Sequence, residues 1–104
     1  MNFNDYQQQA MVFRKESADA LYAVLGLVEE AGEVAGKYAK WRRDNTDPDT
    51  LRANVLKELG DVMWMVAAIA KDMNLPLQMV AQANIDKLNG RLNRGTISGA
   101  GDDR

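Results

Sequence analysis

The sequence predicts an all-α fold of four helices, and three observations carry that expectation. Apolar residues recur at three- and four-residue spacing over most of the chain, the period of a helix face. No segment shows the strict alternation of a half-buried strand. Both prolines look like helix starts: Asp47-Pro48 reads as an N-cap followed by proline at the first helical position, and Pro76 opens a segment after "DMNL".

Taken in order, the first helix is expected from about Asn4, its cap, to Lys15. A second runs from about Ala18 to Arg43, and the polar stretch "RDNTDPD" turns the chain into a third, from Pro48 to Met73. The fourth spans Pro76 to Asn93. The last residues, "GTISGAGDDR", are rich in glycine and charge and read as a mobile tail. The expected organisation is one helical domain over residues 1–94 and a flexible tail over residues 95–104. A length of 104 residues suits one domain, and 46% hydrophobic residues suffice for a packed core.

Composition narrows the chemistry. The chain has no cysteine and no histidine. It therefore has no disulfide, no Ser-His-Asp or Cys-His arrangement and no ordinary zinc site. A general base must be a carboxylate, lysine, tyrosine or metal-bound hydroxide. A metal site must use oxygen ligands, which favours Mg²⁺, Mn²⁺ or Ca²⁺. A net charge of -2 argues against a dedicated nucleic-acid binder. The run Val62 to Ala70 is too short to span a membrane, and the first residues lack the pattern of a signal peptide. The expectation is a soluble, cytoplasmic protein.

The second helix carries "GLVEEAGEVAGKYAKW". On a helical wheel Leu21, Val24, Leu25, Leu27, Val28, Ala31, Val34, Ala35 and Tyr38 form a broad apolar side. Glu29, Glu30, Glu33 and Lys37 collect on the remaining arc with Gly26. The third helix carries Glu58 and Asp61, then becomes apolar all the way round from Val62 to Ala70. Such a stretch needs burial on every side, which implies a partner subunit, most simply a second copy. Gly26, Gly32, Gly36 and Gly60 would permit close helix approach.

Clustered glutamates on a helix are ordinarily a solvated face. Here a second acid pair recurs on the next long helix, at the edge of its most apolar run. Glu30 and Glu33 are three apart and can aim at one point, as can Glu58 and Asp61. Facing like charges would repel, and burial would add desolvation cost. A bound cation relieves both, so these four carboxylates could hold one or two divalent ions.

"EEAGEV", followed by "KELGDVMW" on the next helix, resembles the MazG-like nucleoside triphosphate pyrophosphohydrolases of the all-α pyrophosphatase superfamily. "YQ..A" at Tyr6, Gln7 and Ala10, and "NIDKLNGR" from Asn84 to Arg91, also look like family features. The resemblance implies a four-helix, bundle-like fold that assembles into a dimer or tetramer. It implies Mg²⁺-dependent hydrolysis of a nucleoside triphosphate, with a dNTP as the expected substrate, to the monophosphate and pyrophosphate; Mn²⁺ is the alternative ion. By similarity, Glu30, Glu33, Glu58 and Asp61 are the metal ligands, and Lys87 and Arg91 contact the substrate phosphates.

Other roles stay open at this stage. Glu29 is an outer ligand, a water-orienting base or a solvated acid. Lys37 is a phosphate contact or the i,i+4 partner of Glu33. Asn84 hydrogen-bonds the sugar or base, or is simply solvated. Trp64 fits the core or a subunit interface, while Trp41 is more open. Many relatives carry an acid where this chain has Lys57. Two rival functions remain: a non-catalytic helical interaction module, and the same fold acting on phosphoribosyl-ATP or an alarmone.

Overall fold

A computed structural model describes residues 1–104 and contains four helices and no strand. They are α1 (Phe3–Met11), α2 (Ala20–Asp44), α3 (Pro48–Asp72) and α4 (Leu77–Arg94). The long pair α2 and α3 forms an antiparallel hairpin, while α1 and α4 pack on each other and on α3. Neither α1 nor α4 packs as an element against α2.

The caps explain the boundaries. Asn2, not Asn4, caps α1: its side chain accepts from the Asp5 N–H at 2.8 Å, and Asp5 accepts from the Asn2 N–H at 3.2 Å. This reciprocal pairing satisfies two N-terminal donors. The helix then stops at Met11, short of the expected Lys15. Arg14 turns away instead, donating to the Ala18 carbonyl at 2.8 Å and to both oxygens of Asp72 at 2.8 and 2.9 Å. Asn4 has another job. Pro76 offers no side-chain cap to α4, and Asn4 Oδ1 accepts from the Gln78 N–H across the helix interface. Asp47 caps α3 as expected, with Pro48 in the first turn. Asn45 and Asn74 take the left-handed conformation in the α2–α3 and α3–α4 turns, which asparagine tolerates better than most residues.

Gln7 locks the short helices together. Its amide donates to the carbonyls of Ala67 and Leu75, both at 3.2 Å, and accepts from the Leu77 N–H at 3.0 Å. Beside it, Ala67, Ala70 and Leu77 form a small core, lined by Tyr6, Met11, Val66 and Val80.

Two packing expectations need correction. The apolar run Val62 to Ala70 is largely covered by its own chain: Met65, Ala67, Ala68 and Ala70 are buried and only Met63 counts as exposed. Helices α1 and α4 close around it, so this segment does not require a partner. The exposed apolar surface lies elsewhere. On α2 it is Ala23, Gly26, Leu27, Glu30, Val34, Gly36 and Lys37 that are buried or half-buried, whereas Leu21, Val24, Leu25 and Val28 are exposed. The arc carrying Glu30 and Lys37 faces α3, and the arc of Leu21, Val24, Leu25 and Val28 faces outward. The glycines divide likewise. A Cβ at Gly26 would meet Met65 Sδ at 2.6 Å, but at Gly32, Gly36 and Gly60 it would meet nothing within 4 Å. Only Gly26 serves close packing within the chain.

Candidate active site

Gly26 lies one turn before Glu30 on α2, and Met65 lies one turn after Asp61 on α3. Their close approach draws the two helices together where the acids project. Glu30, Glu58 and Asp61 each present a carboxylate oxygen, all within 4.8 Å of one another. Glu30 and Glu58 are half-buried, while Asp61 is open to solvent. Of the four expected ligands, the structure brings these three together. Glu33 and its neighbour Glu29 are exposed beside the group.

The electrostatics follow from this placement. The Glu30 carboxyl is raised above its usual 4.5, first by burial and then by the charges of Asp61, Glu29, Glu58 and Glu33. Tyr6, from α1, is raised above 10.0 by burial and then by Asp61. Lys37 supplies the local positive charge. Its ammonium lies 3.6 Å from Glu58 Oε1, across the helix pair, rather than on Glu33 as the i,i+4 alternative held. The three converging carboxylates form an all-oxygen donor set that fits a hard divalent cation, with the Lys37 ammonium as a counter-charge at its edge.

Trp64 donates its indole N–H to the Ala10 carbonyl at 3.0 Å, which fixes α1 over α3 next to the acids. Trp41 lies further along α2, edge-on to Tyr38 with ring centroids 6.4 Å apart.

The α4 residues sit apart. Asn84 and Lys87 line a groove with Leu75, Met79, Val80 and Ala83. Arg91 is buried against the chain's last residues. Its Nη2 donates to the Asp102 carbonyl at 2.7 Å and lies 3.6 Å from the Asp102 carboxylate, which Lys87 approaches at 3.7 Å. Its Nε is buried without a partner. No α4 residue joins the carboxylate group or lines the cleft beside it, so within one chain Asn84, Lys87 and Arg91 belong to a different surface from the acids.

Residues 17–96 match the family model of the MazG nucleotide pyrophosphohydrolase domain, a span containing every acid of the group. The chain belongs to this MazG family. Its four-helix, strand-free architecture agrees with the all-α fold of MazG domains. The MazG chain is also similar to the Gene 37 protein of Mycobacterium phage L5, with 46% identity over 85 residues covering 80% of this chain and 75% of that protein. No solved structure matches it. No helix of this MazG protein is long and apolar enough to cross a membrane.

A cleft of about 430 Å³ opens beside the acids, and sequence reasoning did not find most of its lining. It is bounded by Glu30, Asp61, Trp64 and Met65 from the hairpin, by Tyr22 near the start of α2, and by Phe13, Lys15, Ser17 and Ala18 from the α1–α2 connection. Nothing local marks these connection residues. The sequence places Phe13 and Lys15 in the last turn of the first helix, Ser17 between helices and Ala18 at the start of the second, whereas the early stop of α1 at Met11 puts all four in a connection beside the site.

Proposed function

We propose that this protein hydrolyses a nucleoside triphosphate, with a deoxynucleotide as the expected substrate, to the monophosphate and pyrophosphate in a Mg²⁺-dependent reaction that Mn²⁺ can also support. The observation carrying this proposal is the convergence of Glu30, Glu58 and Asp61 from two helices onto one point. Acids that merely solvated a surface would have no reason to face a neighbouring helix and repel one another.

In this scheme Glu30, Glu58 and Asp61 hold the ion, and Glu33 completes the set after a rotamer change from its exposed position. When bound, Mg²⁺ supplies charge neutralisation at the phosphates and Lewis acidity. Lys37 holds Glu58 toward the group and adds positive charge at its edge. Glu29, exposed next to Glu30, is the group proposed to orient the attacking water. Phosphoryl-transfer catalysis of this kind is largely positional and electrostatic.

Lys87 and Arg91 remain the proposed phosphate contacts, with Asn84 near the sugar or base. In one chain they join neither the carboxylate group nor its cleft, so the proposal includes a second copy that brings them there. Two observations support such a copy. Leu21, Val24, Leu25, Val28, Leu56 and Leu59 are exposed on the α2–α3 hairpin. The Cα radius of gyration is 16.5 Å, against about 13 Å for a compact domain of this length.

The direct test measures pyrophosphate release from a nucleotide panel with Mg²⁺. Glu58→Gln and Asp61→Asn should each lose turnover while helix content by circular dichroism stays unchanged. Full activity in both variants would refute the site, and phosphate in place of pyrophosphate would refute the bond assignment.

A further inference from the structure

We propose that residues 97–104 form a displaceable plug on the α4 cations, with the Asp102 carboxylate standing where a substrate phosphate would bind. The inference rests on the proposed phosphate role of Lys87 and Arg91, and adds a device that controls access to them.

The plug has a defined shape. Gly95 ends α4 in the left-handed conformation, and the chain doubles back until residues 101–104 lie against the last turns of that helix. Gly99 and Gly101 hold φ of 137° and 87°, values that residues with side chains rarely adopt. Arg104 closes the loop. Its guanidinium donates to the carbonyls of Thr96 at 2.9 Å, Ile97 at 2.8 Å and Gly101 at 2.6 Å. A loop bound together in this way can leave α4 as a unit, hinged at Gly95. Its ties to the helix are few: Arg94 donates to the Arg104 carbonyl at 2.8 Å, and the rest run through Lys87 and Arg91.

The grip is weakest where charge matters. The Asp102 side chain is 90% exposed and lies 3.6 Å from Arg91 and 3.7 Å from Lys87, beyond hydrogen-bond range. Exposed ion pairs of this kind contribute little and are screened by salt. Arg91, by contrast, is only 6% exposed and is poorly served. Its Nη2 reaches the Asp102 carbonyl and, at 3.4 Å, the Gly101 carbonyl, while its Nε is buried with no partner. A guanidinium suits a bidentate anion, and an unmet buried donor carries a desolvation cost. Two carbonyls and one distant carboxylate are an incomplete substitute for a phosphate. A polyphosphate brings more oxygens and more charge to the same cations, so it displaces the plug. Charge also sets the order of events. Asp102 and Asp103 would repel the acids of a second copy brought to these cations, so the plug leaves before that site closes.

Deleting residues 97–104 should lower KM for the triphosphate roughly tenfold, with kcat changed less than twofold, and lower the inhibition constant of inorganic tripolyphosphate by the same factor. Asp102→Asn should lower KM roughly two- to fivefold. Asp103→Asn removes the same charge outside both ion pairs and should leave KM unchanged. A second readout needs no turnover. The chain has no cysteine, so a fluorophore on Ala100→Cys, an exposed position, reports the plug alone. In EDTA, tripolyphosphate should lower its anisotropy, and Asp102→Asn should move the midpoint to lower tripolyphosphate concentration. An active deletion variant with unchanged or raised KM would overturn the plug and leave the chemistry standing. Equal effects of Asp102→Asn and Asp103→Asn would reduce the contact to a general field and overturn it as well. So would constant anisotropy at tripolyphosphate concentrations that saturate inhibition. Release of the label by tripolyphosphate, with no pyrophosphate formed from any nucleotide, would support the plug and refute the enzymatic reading.

Discussion

Replacing Glu30 by Gln should stabilise the metal-free protein while abolishing its response to Mg²⁺. Glu30 faces Glu58 and Asp61, with carboxylate oxygens no more than 4.8 Å apart. A pair of like charges at that distance costs about 0.9 kcal/mol in bulk water and about 3.5 kcal/mol at an effective dielectric of 20. Lys37 offsets much of the Glu58 charge, and Asp61 is open to solvent, so the lower half of that range applies. The neutral amide should therefore add roughly 1–2 kcal/mol without metal, or about 4–15 °C in Tm for a chain of this size. The pH dependence has a definite sign. Glu30 keeps its proton to higher pH in the folded state than in the unfolded one. Stability is lost as pH rises from about 4.5 through the raised value, and the penalty is complete above it. The advantage of the variant should thus vanish in acid. With Mg²⁺ at about a hundred times its dissociation constant, the parent should gain roughly 2.7 kcal/mol and overtake the variant. Thermal melts in EDTA and in Mg²⁺, at pH 4 and pH 7.5, read all four corners. A Glu30→Gln variant that is less stable than the parent in EDTA, or that gains as much from Mg²⁺, would refute the converging-charge account.

Four further outcomes follow from particular contacts. Arg14 holds the Asp72 carboxyl below its usual 3.8, so this pair stabilises the fold above that pH and its contribution should disappear on acidification below about pH 4; Arg14→Ala should lower Tm at pH 7 and flatten the acid limb of a Tm–pH profile. Gly32→Ala, Gly36→Ala and Gly60→Ala meet open space and should each stabilise an isolated chain by up to about 1 kcal/mol; a fall in Tm that disappears on dilution would instead mark a second copy packed against that glycine. Mixing Glu58→Gln with Arg91→Ala should restore part of the turnover that each lacks, if the acids and α4 cations of one site come from different copies; no recovery after subunit exchange would place them in the same chain. Asp102→Asn removes the carboxylate lying between Lys87 and Arg91, and should lower KM for the triphosphate if those cations bind phosphate, as steady-state kinetics would read directly.

The number of helices and the extents of α2 and α3 were legible in the sequence because their signals are local. Asp47-Pro48 starts α3 with its own side chain and ring, and Asn45 ends α2 within one residue of a polar cluster. The end of α1 was not legible, because what halts it is Arg14 reaching Asp72, a partner 58 positions away. Asn4 was misplaced for the same reason: it is a good capping residue, but the N–H it satisfies belongs to α4. At the site, spacing singled out Glu30, Glu33, Glu58 and Asp61, and the structure brings three of these four together. Which acid of the α2 pair, Glu30 or Glu33, faces inward depends on how far α2 is rotated about its axis. Gly26 sets that rotation through its contact with Met65. Phe13, Lys15, Ser17 and Tyr22 carry no spacing signal at all, since the cleft is made by a connection folding back over the hairpin.

That rotation of α2 is itself informative about what the sequence is suited to do. A hairpin built only for its own stability would turn Leu21, Val24, Leu25 and Val28 toward α3 and leave Glu30 in water. Each such aliphatic side chain, when fully buried, contributes about 1.5–3 kcal/mol. The observed rotation forgoes that burial and adds repulsion among three carboxylates. Both losses fall on one helix pair, and each is recoverable by a different binding event. A divalent cation removes the repulsion, and a second chain covers the aliphatic arc. An interaction module needs only the second of these, and nothing in it would favour turning Glu30 and Asp61 toward each other beside a cleft. Metal and partner together account for both faces of α2, which is why the enzymatic proposal is preferred.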